Sequence, residues 1–269
     1  MNAKKHVKSV SIIGAGNVGH NFGLAFRQAG YLIHEIYSRT HHSAMLLSQT
    51  LNCDFTTNLS ALSKETDLII LAVNDDALQE VVAQINIKDK PIVHTSGSTS
   101  IDVFAHAGFK QYGIFYPVQS FSKNETESLA PIPICIEANN NEMENLMLSL
   151  ARSLSNKVYS MDSDKRKALH VAAVFANNFT NHMFHIADNI LREHKISFEI
   201  IRPLLEKTAD KIKTERPINA QTGPAVRDDR NVLDSHIEYL NQHPDYQEIY
   251  EIITKSILSA QKEKEVGES

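Results

Sequence analysis

Short apolar runs bounded by glycine, proline and polar clusters recur through roughly the first 160 residues, each of strand length. VKSVSII (7–13) reads as a strand, and 17–29 reads as a helix that stops at Gly30. YLIHEIYS (31–38) is a second strand, followed by a polar helical stretch from about His41, and CDFTT is a short third strand. DLIILAV (67–73) is a continuous aliphatic run, the pattern of a strand buried on both faces. Asp75 then reads as the N-cap of a helix DALQEVVAQI. PIVHTS (91–96) and YGIFYP (112–117) continue the alternation, and IPICIEA and KVYSM add two more strands. Strands alternating with helices imply right-handed crossovers and a doubly wound, mainly parallel α/β sheet.

The pattern changes after Met161. Residues 164–192 carry one long helical periodicity, 197–213 a second, and roughly 228–262 one or two more, broken near NQHPDY. The predicted organisation is a nucleotide-binding domain over 1–162 and an all-helical domain over 163–269.

Composition narrows the function classes. The 269 residues are 42% hydrophobic and 22% charged, ordinary for a globular protein with a real core. A net charge of −5 with scattered Lys and Arg gives no basic face for nucleic acid. The longest apolar runs, Leu68–Val73 and Val171–Ala176, are far below the roughly 20 residues a bilayer requires. The start MNAKKHVKSVSIIGAG loosely resembles a signal peptide, but cleavage would destroy the glycine motif that follows, so none is expected. Cys53 and Cys135 form no C-x-x-C pair, and two buried thiols in a reducing cytoplasm is the expectation.

The glycine spacing G-x-G-x-x-G falls on Gly14, Gly16 and Gly19, between a strand and a helix. There the first glycine permits the tight turn, the second lets backbone approach a pyrophosphate, and the third lets helix pack on strand. The free N–H groups of the helix start complete an anion site. About 20 residues later, where an NAD site usually carries Asp or Glu, the chain reads Ser38-Arg39-Thr40. A guanidinium and two hydroxyls suit a 2′-phosphate, so the expected cofactor is NADP(H). Its contacts are expected at Gly14, Gly16, Asn17, Val18 and Gly19, at Ser38, Arg39 and Thr40, and at Val73 and Asn74 beyond the fourth strand.

These residues, with AVNDDAL (72–78), HTSGS (94–98), FYPVQSF (115–121), HVAAVFANNF (170–179) and TGPAVRDD (222–229), make the chain resemble a known superfamily. It includes 6-phosphogluconate and 3-hydroxyisobutyrate dehydrogenases, pyrroline-5-carboxylate reductase and prephenate dehydrogenase. Within it the chain resembles in particular the short-subunit dehydrogenase-like family, a Rossmann-like domain followed by a helical domain of unknown function. The resemblance implies an NADP-linked oxidoreductase, often dimeric through its helical domain. Two positions depart from it. Where the hydroxyacid dehydrogenases carry a catalytic Lys three residues before an Asn, matching that Asn to Asn177 puts Val174 at the lysine. Tyr116 stands before Pro117 where many relatives have His.

The middle of 165–192 is apolar almost all round and is expected to be buried. His170, Asn177 and Asn181, at i, i+7 and i+11, lie within about 40° of one another on a regular helix. Buried polar groups need partners, so this stripe faces either a ligand or partners in the other domain or a second subunit. HTSGS ends the fifth strand, where ligands bind in open α/β sheets. Ser96 and Ser98 are candidate contacts there, and His94 reads either as an acid or base or as a core histidine. Tyr116 reads as a phenolic donor or as packing, and Arg227 and Arg230 as a carboxylate clamp or as salt-bridged surface residues. His182 and His185 share a face, but H-x-x-H alone is no tetrahedral metal set, so no metal is expected.

Two functions follow as expectations. One is an NADP(H)-dependent oxidoreductase with a small polar substrate between the domains, His170, Asn177 and Ser96 acting catalytically and Ser98, Tyr116, Asn181 and Arg227 holding the substrate. The other is a non-catalytic NADP(H)-binding sensor or scaffold, favoured by the missing lysine. A homodimer through 163–262 is expected because these helices carry more apolar surface than one small domain buries.

Overall fold

The computed structural model describes residues 7–123 and 128–267. Its first part is an eight-stranded sheet of β1 (Ser9–Ile13), β2 (Leu32–Tyr37), β3 (Asp54–Thr56), β4 (Leu68–Leu71), β5 (Ile92–His94), β6 (Tyr112–Pro117), β7 (Ile134–Ala138) and β8 (Val158–Ser160). The spatial order is β3-β2-β1-β4-β5-β6-β7-β8, parallel throughout except for the antiparallel pairing of β6 with β7. The order reverses between β1 and β4, the crevice where open α/β sheets bind ligands.

The helices of this part are α1 (Asn17–Gln28), α2 (His41–Leu51), α3 (Leu78–Gln84), α4 (Asp102–His106), α5 (Asn141–Leu154) and α6 (Ser163–Ala173). Because side chains alternate across a strand, Ile12 and Ile70 face one layer with Phe22, Phe26, Phe115 and Met147, while Ile13, Ile69 and Leu71 face the other with Leu78, Val82 and Phe104. That two-sided burial is why β4 reads as a continuous aliphatic run. Asp75 is not the cap of a regular helix. Asp75–Ala77 is a 3₁₀ turn leading into α3, and the Asp75 carboxylate is drawn instead to Ser98, whose Oγ donates to it at 2.5 Å.

The chain divides into two compact units, Met1–Ala176 and Asn177–Ser269, fourteen residues beyond the change in sequence pattern (176 against 162). The cause is α6, whose Arg166 sends a fully buried guanidinium into the turn after β5, tying this helix to the sheet. Helical backbone continues as a π segment, Val174–Phe179, and then α7 (Thr180–Glu193).

The second unit consists of α7 with α8 (Arg202–Lys211), α9 (Pro217–Ala220), α10 (Arg230–Tyr239) and α11 (Pro244–Gly267). Its buried apolar residues are Ile186, Ala225, Leu233 and Leu240, beside a cavity of about 260 Å³ lined by residues such as Ile190, Pro224, Ile249 and Ile253. The expectation of a buried helix over 165–192 is corrected. Val171, Phe175 and Phe179 are exposed, Phe175 by 65%, as are Asn177 and Asn181, and only Arg166 and Ile186 are buried. All-round apolar character marks surface to be covered without saying whether the same chain covers it. Among the described residues no helix is long and apolar enough to cross a membrane.

Candidate cofactor and active site

The glycine turn connects β1 to α1. Gly14 has φ +118°, and a Cβ there would lie 2.2 Å from the carbonyl oxygen of Ala72. A Cβ on Gly19 would lie 2.0 Å from the carbonyl oxygen of Gly14, so the third glycine lets α1 sit directly on the turn. At Gly16 the space is open, with no atom within 4 Å of such a Cβ. Gly16 is also the N-cap of α1 and supplies no side-chain cap. The N–H groups of the first turn, including those of Asn17 and Val18, therefore keep an unobstructed approach for an anion, and the cradle fits a dinucleotide pyrophosphate. The Asn17 side chain holds a neighbouring loop, its Nδ2 donating to the Phe121 carbonyl at 2.8 Å, and Asn21 Nδ2 donates to Ser122 O at 3.0 Å. Val73 packs beside Gly14, and Asn74 is exposed at the end of β4.

At the end of β2, Arg39 and Thr40 are exposed and Ser38 is half-buried. Thr40 caps α2, its Oγ1 accepting from Ser43 N at 3.4 Å. No salt bridge holds Arg39 among the described residues. The nearest upstream carboxylate, Glu35, is buried and accepts from Ser63 N at 2.6 Å, so it does not occupy the ribose position. Among the described residues the Arg39 guanidinium is therefore exposed and without an ion-pair partner, which fits a 2′-phosphate.

The turn after β5 holds the candidate catalytic groups. Ser96 is buried, and its hydroxyl works within the turn: Oγ donates to Thr99 Oγ1 at 3.0 Å and accepts from Ser98 N and Thr99 N. Ser98 is the exposed hydroxyl, bonded to Asp75. His94 lies wholly in the core against Phe104, with Nδ1 accepting from Ser96 N at 3.2 Å. Burial, reinforced by the Arg166 charge, lowers its pKa to about 4, so it is a neutral core histidine rather than an acid at neutral pH.

Tyr116, at the end of β6, points its hydroxyl at His170 of α6, OH to Nδ1 3.2 Å, with the rings edge to face at 5.9 Å. Burial raises the Tyr116 pKa, keeping the phenol protonated. Gly97 lies flat against this pair: a Cβ there would come 2.4 Å from His170 Nδ1 and 2.9 Å from Tyr116 Cζ.

His170 thus joins Tyr116 and the 96–99 turn within the first unit, whereas Asn177 and Asn181 belong to the second. The π segment also breaks the 100° per residue on which a single stripe depends. In the second unit Arg227 is exposed, and Arg230 pairs with Asp228 at 2.8 Å. His185 meets Asn189, and no three His, Cys, Asp or Glu residues gather as metal ligands among the described residues. Two residues escaped the sequence reading, Arg166 and Glu137. Within DSDKRKALH an arginine looks like one more solvated charge, and nothing local marks it as the buried one.

Two family profiles match the chain: a Rossmann-like domain over residues 2–111 and Domain of unknown function (DUF2520) over 132–257. No curated protein matches. Among solved structures, the "putative NADP oxidoreductase BF3122" of Bacteroides fragilis is 37% identical with a TM-score of 0.89, covering 96% of this chain and 100% of its own. Protein TM1727 of Thermotoga maritima is 24% identical with a TM-score of 0.71, covering 95% and 99%. An imine reductase of Myxococcus stipitatus in complex with NADP+ shares the fold at 16% identity, TM-score 0.64, covering 95% and 93%. None of these carries the short-subunit dehydrogenase-like label.

Proposed function

From a chain that belongs to the family joining a Rossmann-like domain to a DUF2520 domain, we propose an NADP(H)-dependent oxidoreductase acting on a small polar substrate with a carbon–oxygen or carbon–nitrogen double bond, or on its reduced form. The observation that carries this reading is the Tyr116–His170 pair, 3.2 Å apart and lying against Gly97 of the turn after β5. The Bacteroides relative, an NADP oxidoreductase by name, supports the cofactor and the reaction class.

When bound, NADPH supplies the hydride. The glycine turn and the start of α1 would hold its pyrophosphate, and Ser38, Arg39 and Thr40 would receive the 2′-phosphate. Tyr116, kept protonated by burial, gives its phenolic proton to the substrate heteroatom, and His170 Nδ1, hydrogen-bonded to that oxygen, returns a proton to it while the other ring nitrogen takes one from water. Ser98 hydrogen-bonds the substrate, its own orientation fixed by Asp75.

Tyr116→Phe tests it. General acid catalysis contributes about 10²–10⁴-fold, so turnover falls by at least about 100-fold while NADPH affinity stays within about threefold. Unchanged turnover would remove Tyr116 from the chemistry. A non-catalytic NADP(H)-binding sensor remains the second reading, favoured by Val174 at the superfamily's lysine position.

The same reading includes a homodimer in a reducing compartment, supported by the exposed Phe179, Ile200, Leu204 and Ile252 of the second unit and by two free thiols.

A further inference from the structure

Arg166 is 0% exposed, the largest fully buried side chain, and no step described so far uses it. Its guanidinium is a five-way junction. Nη1 donates to the carbonyls of Ser96 at 3.2 Å and Gly97 at 2.9 Å. Nη2 donates to the carbonyl of Thr99 at 2.8 Å, to Ser163 Oγ at 3.0 Å and to Glu137 Oε2 at 3.3 Å. Ser163 Oγ in turn donates to the Glu137 carboxylate, at 2.8 and 2.9 Å. Three of the five acceptors are backbone carbonyls of one turn, reached from two separate nitrogens of a planar fork, whereas an ammonium offers its three donors from a single point. A buried charge needs compensation, and here Glu137 on β7 supplies it.

The turn so gathered is the one that carries the site. Gly97, whose carbonyl Arg166 binds, is the residue that lies against both His170 and Tyr116. Arg166 and His170 are also one helical turn apart on α6, so the helix that presents the imidazole carries the clamp that fixes the opposite wall. We propose that Arg166 is a positioning residue: it locks the 96–99 turn against α6 and β7, and through Gly97 it sets the geometry of the Tyr116–His170 pair. The value of that geometry to catalysis rests on the function proposed above. The clamp itself does not.

The test uses two substitutions and readouts that need no substrate. Arg166→Lys keeps the charge and loses the fork. Ser163→Ala removes one acceptor and leaves the buried ion pair in place. Nitrogen-15 spectra report the tautomer and environment of the His170 ring, and hydrogen exchange reports the Ser98 and Thr99 amides, both bonded to Ser96 Oγ. In Arg166→Lys the His170 ring signals shift and these amides exchange at least about tenfold faster, while NADPH affinity stays within about threefold. Ser163→Ala, which removes one of the five acceptors, shifts the same signals in the same direction by a smaller amount. If Arg166→Lys fails to fold, Ser163→Ala decides alone. A lowered melting temperature with unchanged His170 signals in the folded variants would overturn the proposal and leave Arg166 a purely structural ion-pair partner. Absence of turnover in the native protein counts against the function proposed above and leaves this result standing. Where turnover is present, Arg166→Lys lowers kcat and changes KM by less than about threefold.

Discussion

Single residues carry the cofactor choice and one stability effect. Arg39 is exposed and has no salt-bridge partner among the described residues, so its guanidinium is available to a 2′-phosphate. A hydrogen bond to a charged group contributes about 1.5–3 kcal/mol, so Arg39→Ala weakens NADPH binding about 10- to 100-fold and leaves NADH binding nearly unchanged. Calorimetric titration with both cofactors checks this. His94 is the stability case. Its folded pKa of about 4 lies below its ordinary 6.5, so the unfolded chain binds the proton first as pH falls. Stability is full above about pH 6.5 and drains away toward pH 4, by an amount of the order of 3 kcal/mol. Urea denaturation of the native protein and His94→Gln from pH 7.5 downward measures it, and the variant lacks that share of the acid-side loss. At this scale the sequence was legible where sterics leave one option, as at Gly14 and Gly19. It was opaque where a side chain's partner lies far along the chain: Asp75 looked like a cap until Ser98 was placed beside it, and Arg166 looked like a surface charge.

Secondary-structure elements place those residues. β4 was readable as a buried strand because a parallel strand covered on both faces is apolar along its whole length, LIIL here, whereas β1, SVSII, was placed by the glycine turn that follows it. The helix over 163–193 was readable as helical but misleading in burial, since periodicity reports which surface is apolar and not what covers it. Its π segment leaves no mark in the hydrophobic pattern, so the alignment of Asn177 and Asn181 with His170 rested on a regular helix that is not present. Because both asparagines are exposed, alanine there costs no more than about 0.5 kcal/mol of stability, which a thermal melt checks. A large loss would show that they are held by partners outside the described surface. Gly97→Ala is the opposite case: its methyl would meet His170 and Tyr116, so the pair must separate. The expected outcome is a folded protein with NADPH affinity nearly intact and turnover reduced about 100-fold or more, read by steady-state kinetics.

At the level of the whole molecule the two units differ in the surfaces they present. The first provides a cradle shaped for a dinucleotide and a protonated phenol held by an imidazole. The second exposes large apolar side chains, Ile200 by 70% among them, which in water favours association. A 30.1 kDa chain is therefore expected to scatter light as a dimer of about 60 kDa at micromolar concentration; a particle of monomer mass would reject that reading. The central claim is that this protein moves a hydride as well as binding the carrier. Its most direct test is isotope transfer: the native protein is incubated with NADPH carrying deuterium at both hydrogens of the nicotinamide carbon that donates the hydride and with a panel of small polar carbonyls and imines, and the products are weighed by mass spectrometry. The account predicts one deuterium in the reduced product, with Tyr116→Phe suppressing its formation while still binding NADPH. Tight NADPH binding with no deuterium transferred to any member of the panel would contradict it and leave the sensor reading in its place.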